Sequence, residues 1–502
     1  MAVHHPAVSV YCPPTRSLYS HRSIKPSFFH RRFGIGFVTD SQGFARREGP
    51  VGAGKAGRGE RCRPVIPAES PSGRGVINGD TALMTAPTTV AARAPLPVTV
   101  LMPTFNRAHY LAEALDSVLG QEPPPAEVIV IDDGSDDATG EVAAAYAARG
   151  VAYVRQDNAG KAAALNNGLG RVAQPFVWIF DDDDIAAPGT LAALHQALVD
   201  HPDAGYAYGL CDKFFGEWPN DARERNTAYA SDEPAALYVR LMEDFFIWQG
   251  AMLARRSCYD AVGPFDTRLA RSQDYEMALR LGRRFKGIGL PIVAFHQRHH
   301  AGLRGPKGAS VKAHEVEQAW RKYNHLIFRE LHGSHALPEF FIGSPEERAA
   351  PSPRQTLTAR IQRGSIMARK GLWDLAAADF GTAAREASAQ GVTELCEQEK
   401  AALRRIFQRG ARSIFQDGAE AERFFGAIAG FPRALRGRIE GNLLLPVTYR
   451  LRRLSGVTDR RFEIGQLRIM ARHLLKGSSI RSYFDARRTD RGMYGVEPLL
   501  AA

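Results

Sequence analysis

The spacing of apolar residues divides the chain near residue 95 and again near residue 310. Residues 1–95 hold neither a strand nor a helix period and are rich in Gly, Pro, Ser and Arg, so they are expected to form a disordered basic extension, with Met84 as an alternative natural start. From Leu96 the texture changes. Leu96 to Met102 is a largely apolar run of strand length, as in a buried parallel strand. Leu111, Ala114, Leu115, Val118 and Leu119 then recur at helical spacing until Pro123 to Pro125 stop them. Strand-like runs return at Val128 to Ile131, Val151 to Val154 and Phe176 to Phe180, separated by helical stretches at Ala138 to Arg149 and Gly160 to Val172. This alternation predicts an α/β fold whose sheet is mostly parallel and doubly wound, with helices on both faces.

From Ala204 to Arg304 the pattern loosens and aromatic residues gather, among them Tyr206, Tyr208, Trp218, Phe245, Phe246 and Trp248. Rings in a less regular half suit either an acceptor-binding region or plain core. Beyond residue 310 the chain is expected to be mainly α-helical. Thr356 to Ala368, a break at Gly371, and Leu372 to Ala387 read as a helical hairpin resembling a single tetratricopeptide unit, too few copies for an array. The expected organisation is an extension over 1–95, an α/β domain over 96–305, a helical region over 306–432 and a basic helical tail over 433–502.

Composition narrows the class. At 44% hydrophobic and 24% charged residues the chain is globular, and no run reaches the roughly 20 apolar residues that span a bilayer. The five cysteines are scattered without a C-x-x-C pair, which argues against a disulfide framework or zinc site and for a reducing compartment. Residues 1–40 lack a clean apolar core with a cleavage site, so no secretory leader is expected, and the location is expected to be cytoplasmic. The net charge of +11 sits at the ends: residues 1–95 carry 13 Lys/Arg against 5 Asp/Glu, and residues 433–502 carry 15 against 6. The basic tail interleaves Leu443, Leu444, Leu445, Val447, Leu451 and Leu454 with Arg450, Arg452 and Arg453. It suits peripheral contact with the inner face of an anionic membrane, or a helical cap, and no nucleic-acid partner is expected.

The chemistry lies at the strand ends. Asp132, Asp133, Asp136 and Asp137 follow the second strand, and Asp181 to Asp184 follow the fourth. In parallel α/β sheets ligands bind beyond the carboxyl ends of the strands, so both clusters fall on the functional rim. Four adjacent carboxylates repel one another unless a cation or hydrogen bonds compensate. Gly52-Ala-Gly-Lys-Ala-Gly57 spells G-x-G-x-x-G, but no strand precedes it and no helix follows, so it is not read as a dinucleotide site.

Six segments occur in order: Val98 to Arg107, Val128 to Asp136, Asn158 to Gly168, Phe180 to Asp184, Gly263 to Asp266 and Gln273 to Arg280. Together they resemble the ordered motifs of family 2 glycosyltransferases with the GT-A fold, over about 210 residues. The resemblance implies an inverting, metal-dependent hexosyltransferase that moves a sugar from a UDP-, GDP- or dTDP-linked donor to a hydroxyl of a glycan or lipid-linked acceptor. Cell-envelope or capsular polysaccharide biosynthesis is the implied setting. It places Pro103, Phe105 and Asp133 in the nucleotide-base pocket and Asn158, Lys161 and Asn166 along the nucleotide and phosphates. It aligns Asp181 to Asp184 with the D-x-D motif. By that resemblance Asp183 would be the direct ligand of Mn²⁺ or Mg²⁺, Asp181 would lie toward ribose or the metal, Asp182 would be on the donor side, and His300 of the trailing R-x-H element would complete the metal site. Asp274 matches the general base. Many members carry Glu before it where this chain has Gln273, which removes a neighbouring charge.

Two other functions remain open on the residues. One is a non-catalytic nucleotide-sugar-binding or scaffold protein working through the helical half. The other is a sugar nucleotidyltransferase, against which the Pro103-Thr-Phe-Asn106 turn weighs, since a Gly-rich phosphate loop is missing there.

Overall fold

The computed structural model describes residues 94–219, 223–226, 234–299, 316–408, 415, 418–452, 460–475 and 477–489. Met84, the Gly52 segment, nearly all of the expected extension, and His300 lie outside the described residues.

The α/β part runs β1 (Leu96–Thr104), α1 (Ala108–Leu119), β2 (Pro125–Asp132), α2 (Thr139–Ala145), β3 (Val151–Arg155), α3 (Lys161–Leu169), β4 (Phe176–Ile179), β5 (Ile185–Ala186), α4 (Thr190–Asp200), β6 (Ala204–Phe215), β7 (Arg223–Asn226), α5 (Pro234–Glu243), β8 (Met252–Arg255), α6 (Arg256–Val262), α7 (Gln273–Arg284) and β9 (Lys286–His299). The strands form one sheet in the order β3-β2-β1-β4-β8-β6-β9-β5, with β7 paired to β6. β3, β2, β1 and β4 are mutually parallel. Beyond them β8 runs antiparallel to β4 and β6, while β9 is parallel to β6. The chain order reverses direction across the sheet at β1, and the crevice above β1 and β4 is where such sheets bind ligands.

Both faces of β1, β2 and β4 are covered, which explains their largely apolar runs. Val98, Val100, Met102, Val128, Val130, Phe176 and Trp178 pack on one side against α1 and α4. Leu101, Ile129, Ile131, Val177 and Ile179 face the other way. Successive residues of a strand alternate faces, so each strand must be apolar throughout to fill both cores.

The second core continues into the helices that follow: α8 (Val316–Ser334), α9 (Pro345–Ala349), α10 (Pro353–Arg369), α11 (Trp373–Ala389), α12 (Glu397–Ile406), α13 (Gly418–Ala429), α14 (Arg433–Arg452), α15 (Arg460–Leu474) and α16 (Gly477–Thr489). It runs unbroken from Leu101 on β1 to Leu474. The hairpin read from the sequence is α10 and α11, turned by Gly371 at φ +79°, a conformation that a side chain would strain. Trp373 anchors a ring cluster with Phe407, Phe415 and Phe424. A polar clamp joins this layer to the sheet half. Arg369 pairs with Asp244 at 2.6 Å and Arg405 with Glu243 at 3.1 Å. Lys370 donates to the Glu243 carbonyl and to the Tyr275 hydroxyl, each at 2.8 Å. The clamp therefore holds the end of α5 and the start of α7.

Candidate active site

The first two strand ends are laced together. Asn106, at φ +53°, donates its N–H to Ser135 Oγ and accepts at Oδ1 from the Asp136 N–H, both at 2.8 Å. Buried Asp132 accepts from the Ser135 N–H (2.8 Å) and hydroxyl (2.6 Å) and from the Tyr153 hydroxyl (2.5 Å), so it braces the turn. Asp133 ties down the next loop. Its Oδ1 accepts from Gln156 Nε2 (2.8 Å) and the Ala159 N–H (2.9 Å), and its Oδ2 from the Gly160 N–H (2.7 Å) and Asn158 Nδ2 (3.1 Å). Gly134, at φ +82°, permits this approach: a Cβ there would lie 3.0 Å from the Asn158 nitrogen. All four bonds go to the segment leading into α3, so an Asp133 contact with a nucleotide base requires one of them to be exchanged.

The acidic run lies between β4 and β5, and β5 is pinned to β9 through Ile185 with His296 and Ala186 with Phe295. Carboxylate oxygens of Asp181, Asp183 and Asp184 come within 4.8 Å of one another. Three cations answer them. Lys161, the first residue of α3, donates to Asp181 Oδ1 at 2.6 Å. Arg107 donates to Asp183 Oδ2 at 2.7 Å. Arg298 is buried; its N–H meets Asp184 Oδ1 at 2.9 Å, its Nε the Asp183 carbonyl at 3.0 Å, and its Nη2 reaches Glu113 at 2.5 Å. The guanidinium is also flanked by the Tyr110 and Phe214 rings at 4.6 and 4.7 Å. A set of hard oxygen donors within this reach fits a divalent cation such as Mg²⁺ or Mn²⁺ and not a soft metal.

Asp182 differs from its neighbours. It is 8% exposed and its Oδ2 has no hydrogen-bond partner. Burial, and after it the charge of Asp183, push its carboxyl up to about 7, against the pull of Arg107 and the Thr104 hydroxyl.

Asp274 is the second residue of α7, which Ser272 caps at φ +62°. Burial raises its carboxyl above the ordinary range, and Lys161 is the main influence drawing it back. Lys161 is opposed by burial, but the fields of Asp181, Asp274 and Asp183 outweigh that and hold its ammonium above the usual lysine value. One lysine therefore links the acidic run to Asp274, residues 90 or so apart in sequence. Gln273 is buried with its Oε1 unpartnered, a position where a carboxylate would add an uncompensated charge beside Asp274.

The structure thus gathers Asp133, Asn158, Lys161, Asp181, Asp182, Asp183 and Asp274 about one strand edge. Pro103 is buried at the end of β1 and Phe105 is half-buried just after it. Asn166 is committed elsewhere: its amide donates to the Phe265 carbonyl (2.9 Å) and accepts from the Phe265 N–H (2.8 Å). It splices α3 to the Gly263–Asp266 loop, which is a different task from the nucleotide contact expected of it. Asp184, Arg107 and Arg298 were not singled out from the sequence. The signal was available, because four carboxylates after a buried strand require cations nearby and both arginines stand inside the quoted motifs.

Arg298→Ala is expected to lower stability by about 2 kcal/mol, because it strips the Asp183 and Gly216 carbonyls of their donor and removes a buried side chain packed between the Tyr110 and Phe214 rings. A urea midpoint within error of wild type would show that Arg298 is not what fixes the acidic loop.

Residues 99–263 match the family model described as glycosyl transferase family 2. Glycosyltransferase GlyA of Streptococcus pneumoniae serotype 4 is 33% identical over 106 residues, covering 21% of this chain and 15% of that protein. The succinoglycan biosynthesis protein ExoU of Rhizobium meliloti is 31% identical over 218 residues, covering 40% of this chain and 61% of that protein. The chain thus spans less than two thirds of the length of either relative. Among solved structures, S. aureus TarS 1–349 in complex with UDP-GlcNAc is 17% identical, covering 78% of this chain and 92% of that one, with a TM-score of 0.40. The mannosyltransferase PcManGT of Pyrobaculum calidifontis, in complex with GDP-Man and Mn²⁺, is 20% identical, covering 59% of this chain and 81% of that one, with a TM-score of 0.37. The segment 99–263, which begins in β1 and carries both acidic clusters on its carboxyl edge, is thus the part of the chain that matches glycosyl transferase family 2.

Proposed function

We propose that the protein is an inverting, metal-dependent glycosyltransferase that passes a hexosyl group from a nucleotide-diphosphate donor to a hydroxyl of a glycan or lipid-linked acceptor. The observation that carries this reading is the gathering of Asp181, Asp183 and Asp184 within 4.8 Å, with Lys161 paired to Asp181 at 2.6 Å and lying in the field of Asp274. Asp183, Asp181 and Asp184 would hold the divalent cation, Mn²⁺ or Mg²⁺, whose charge offsets that building on the departing diphosphate. Pro103, Phe105 and Asp133 would border the base, with Asn158, Lys161 and Asp182 on the donor side.

Asp274, ionised, takes the proton of the acceptor hydroxyl as that oxygen bonds to the anomeric carbon. The anomeric carbon–oxygen bond to the diphosphate breaks on the opposite side, so configuration inverts and the nucleoside diphosphate leaves with the bonding pair. Lys161 pairs with Asp181 at 2.6 Å, within the field of Asp274, and can offset phosphate charge from there. The half-buried rings of Phe245, Phe246 and Trp248, with Phe245 tilted against Tyr275 at 4.9 Å, lie beside α7 and suit an acceptor surface. The relative named for succinoglycan biosynthesis supports an envelope or capsular polysaccharide as the product, made in the cytoplasm at the inner membrane face. Among the described residues no helix is long and apolar enough to cross a membrane.

The test is a panel of UDP-, GDP- and dTDP-sugars, with nucleoside diphosphate release followed in the presence of Mn²⁺ and then of EDTA. Release with one donor, abolished by EDTA and restored by Mn²⁺, is expected. Donor-induced thermal stabilisation without release from any donor would instead establish a non-catalytic nucleotide-sugar-binding protein.

A further inference from the structure

Seven large apolar side chains are strongly exposed among the described residues, and four of them crowd into the last two helices: Ile464 (40%), Leu475 (58%), Ile480 (39%) and Phe484 (53%). Their spacing is helical. Ile464, exposed Arg468 and Leu475 stand four and eleven residues apart, which places them on one stripe of α15 and its last turn, with exposed Arg472 alongside. Ile480, Phe484 and exposed Arg487 stand four and seven apart on α16, with exposed Arg481 at their flank. None of these four arginines forms an ion pair with a described carboxylate.

The opposite faces are fully used. Met470 and Leu474 of α15 and Ala486 of α16 are buried. His473 stacks on Phe425 at 4.4 Å, and Ser479 donates to Glu440 at 2.5 Å. Gly441 of α14 lets α16 approach so closely that a Cβ there would meet the Ser482 backbone at 2.7 Å. The two helices are thus held by their inner sides, and their outer sides carry apolar residues and cations that no packing within the described chain employs.

We infer that this outer face of α15 and α16 is a docking surface for an anionic lipid bilayer. Residues 460–489 carry eight Lys/Arg against two Asp/Glu, which matches the negative potential of an anionic leaflet. Aliphatic and aromatic side chains set between arginines are the pattern of a helix lying in the headgroup–acyl boundary, the apolar groups sinking in and the guanidiniums reaching up to phosphate. A second copy of the chain suits the surface poorly, because a two-fold contact would set the same arginines against one another. Nucleic acid would employ the arginines but leave Ile464, Leu475 and Ile480 without a role. The inference extends the proposed membrane-face location of the transferase, yet vesicle binding needs no turnover, so the two readings fail separately.

The full chain is to be sedimented with vesicles of phosphatidylcholine alone and of equal parts phosphatidylcholine and phosphatidylglycerol. It is expected to pellet with the anionic vesicles and to be released by high salt. Arg481→Gln and Arg487→Gln should each weaken partitioning roughly fivefold, since each basic residue at the surface is worth about 1 kcal/mol. Phe484→Ser should weaken it about tenfold through the apolar area withdrawn from the bilayer. Each substituted side chain is exposed, and an unchanged melting temperature together with unchanged stabilisation by UDP and Mn²⁺ would verify that the fold and donor site persist. Equal binding to neutral and anionic vesicles, no binding to either, or indifference to Phe484→Ser would each overturn the proposal. So would concentration-dependent self-association that Phe484→Ser abolishes.

Discussion

Asp274→Asn is expected to lower turnover by about 10³-fold while leaving donor affinity unchanged, the loss typical of removing a general base. The substitution keeps the shape of the side chain and its place at the start of α7, where Oδ1 accepts from the Tyr275 N–H, but an amide cannot take the acceptor's proton. Stabilisation by Mn²⁺ and the nucleoside diphosphate of whichever donor is active separates this from damage to the donor site. The pH profile adds a test with a definite sign. Burial raises the Asp274 carboxyl above the ordinary range and Lys161 draws it back. Catalysis needs the ionised form, so kcat/KM should fall as the pH drops through a limb lying above the usual carboxylate range. Lys161→Met removes the cation that favours the ionised form and should move that limb to higher pH. Near wild-type turnover by Asp274→Asn would remove Asp274 from the mechanism.

Asp183→Ala should cost a similar factor, on the order of 10³-fold, because several kcal/mol of charge stabilisation depend on the cation and each roughly 1.4 kcal/mol is tenfold in rate. Asp183 supplies one of the three clustered carboxylates and is paired with Arg107 at 2.7 Å. On the proposed reading its removal would take away a ligand, and it leaves Arg107 without that partner. The residual activity of the variant should no longer respond to EDTA, whereas wild type should lose activity by a like amount on chelation. A variant that keeps full, EDTA-sensitive turnover would place the metal on other residues.

Much of the molecule was legible in its residues. The apolar runs at Leu96, Val128 and Phe176 became β1, β2 and β4, because a strand covered on both faces leaves a nearly continuous signal, and the shorter run at Val151 became the edge strand β3. The hairpin α10–α11 was legible from its helical period and Gly371. The mixed half of the sheet was not. β8 pairs with both β4 and β6 although it is only four residues long, and β5 is two residues long. Such elements are stabilised by distant partners and carry almost no local pattern.

The same division holds at the site. The sequence by itself determined which carboxylates lie on the functional rim, since Asp133 and Asp181 to Asp184 directly follow strands whose polarity is set by the βαβ connection. Only the tertiary structure decided what each of them does there. It turned Asp182 into a buried carboxyl and gave Asp184 a place beside Asp181 and Asp183. It spent both ends of the Asn166 amide on Phe265, and it brought Lys161 between Asp181 and Asp274. It also delivered Arg298, from the far end of β9, to the acidic loop. The reason is physical: a charge run shows how much charge must be answered, but the cations that answer it come from α3, the β1–α1 turn and β9, and their meeting is a property of the fold.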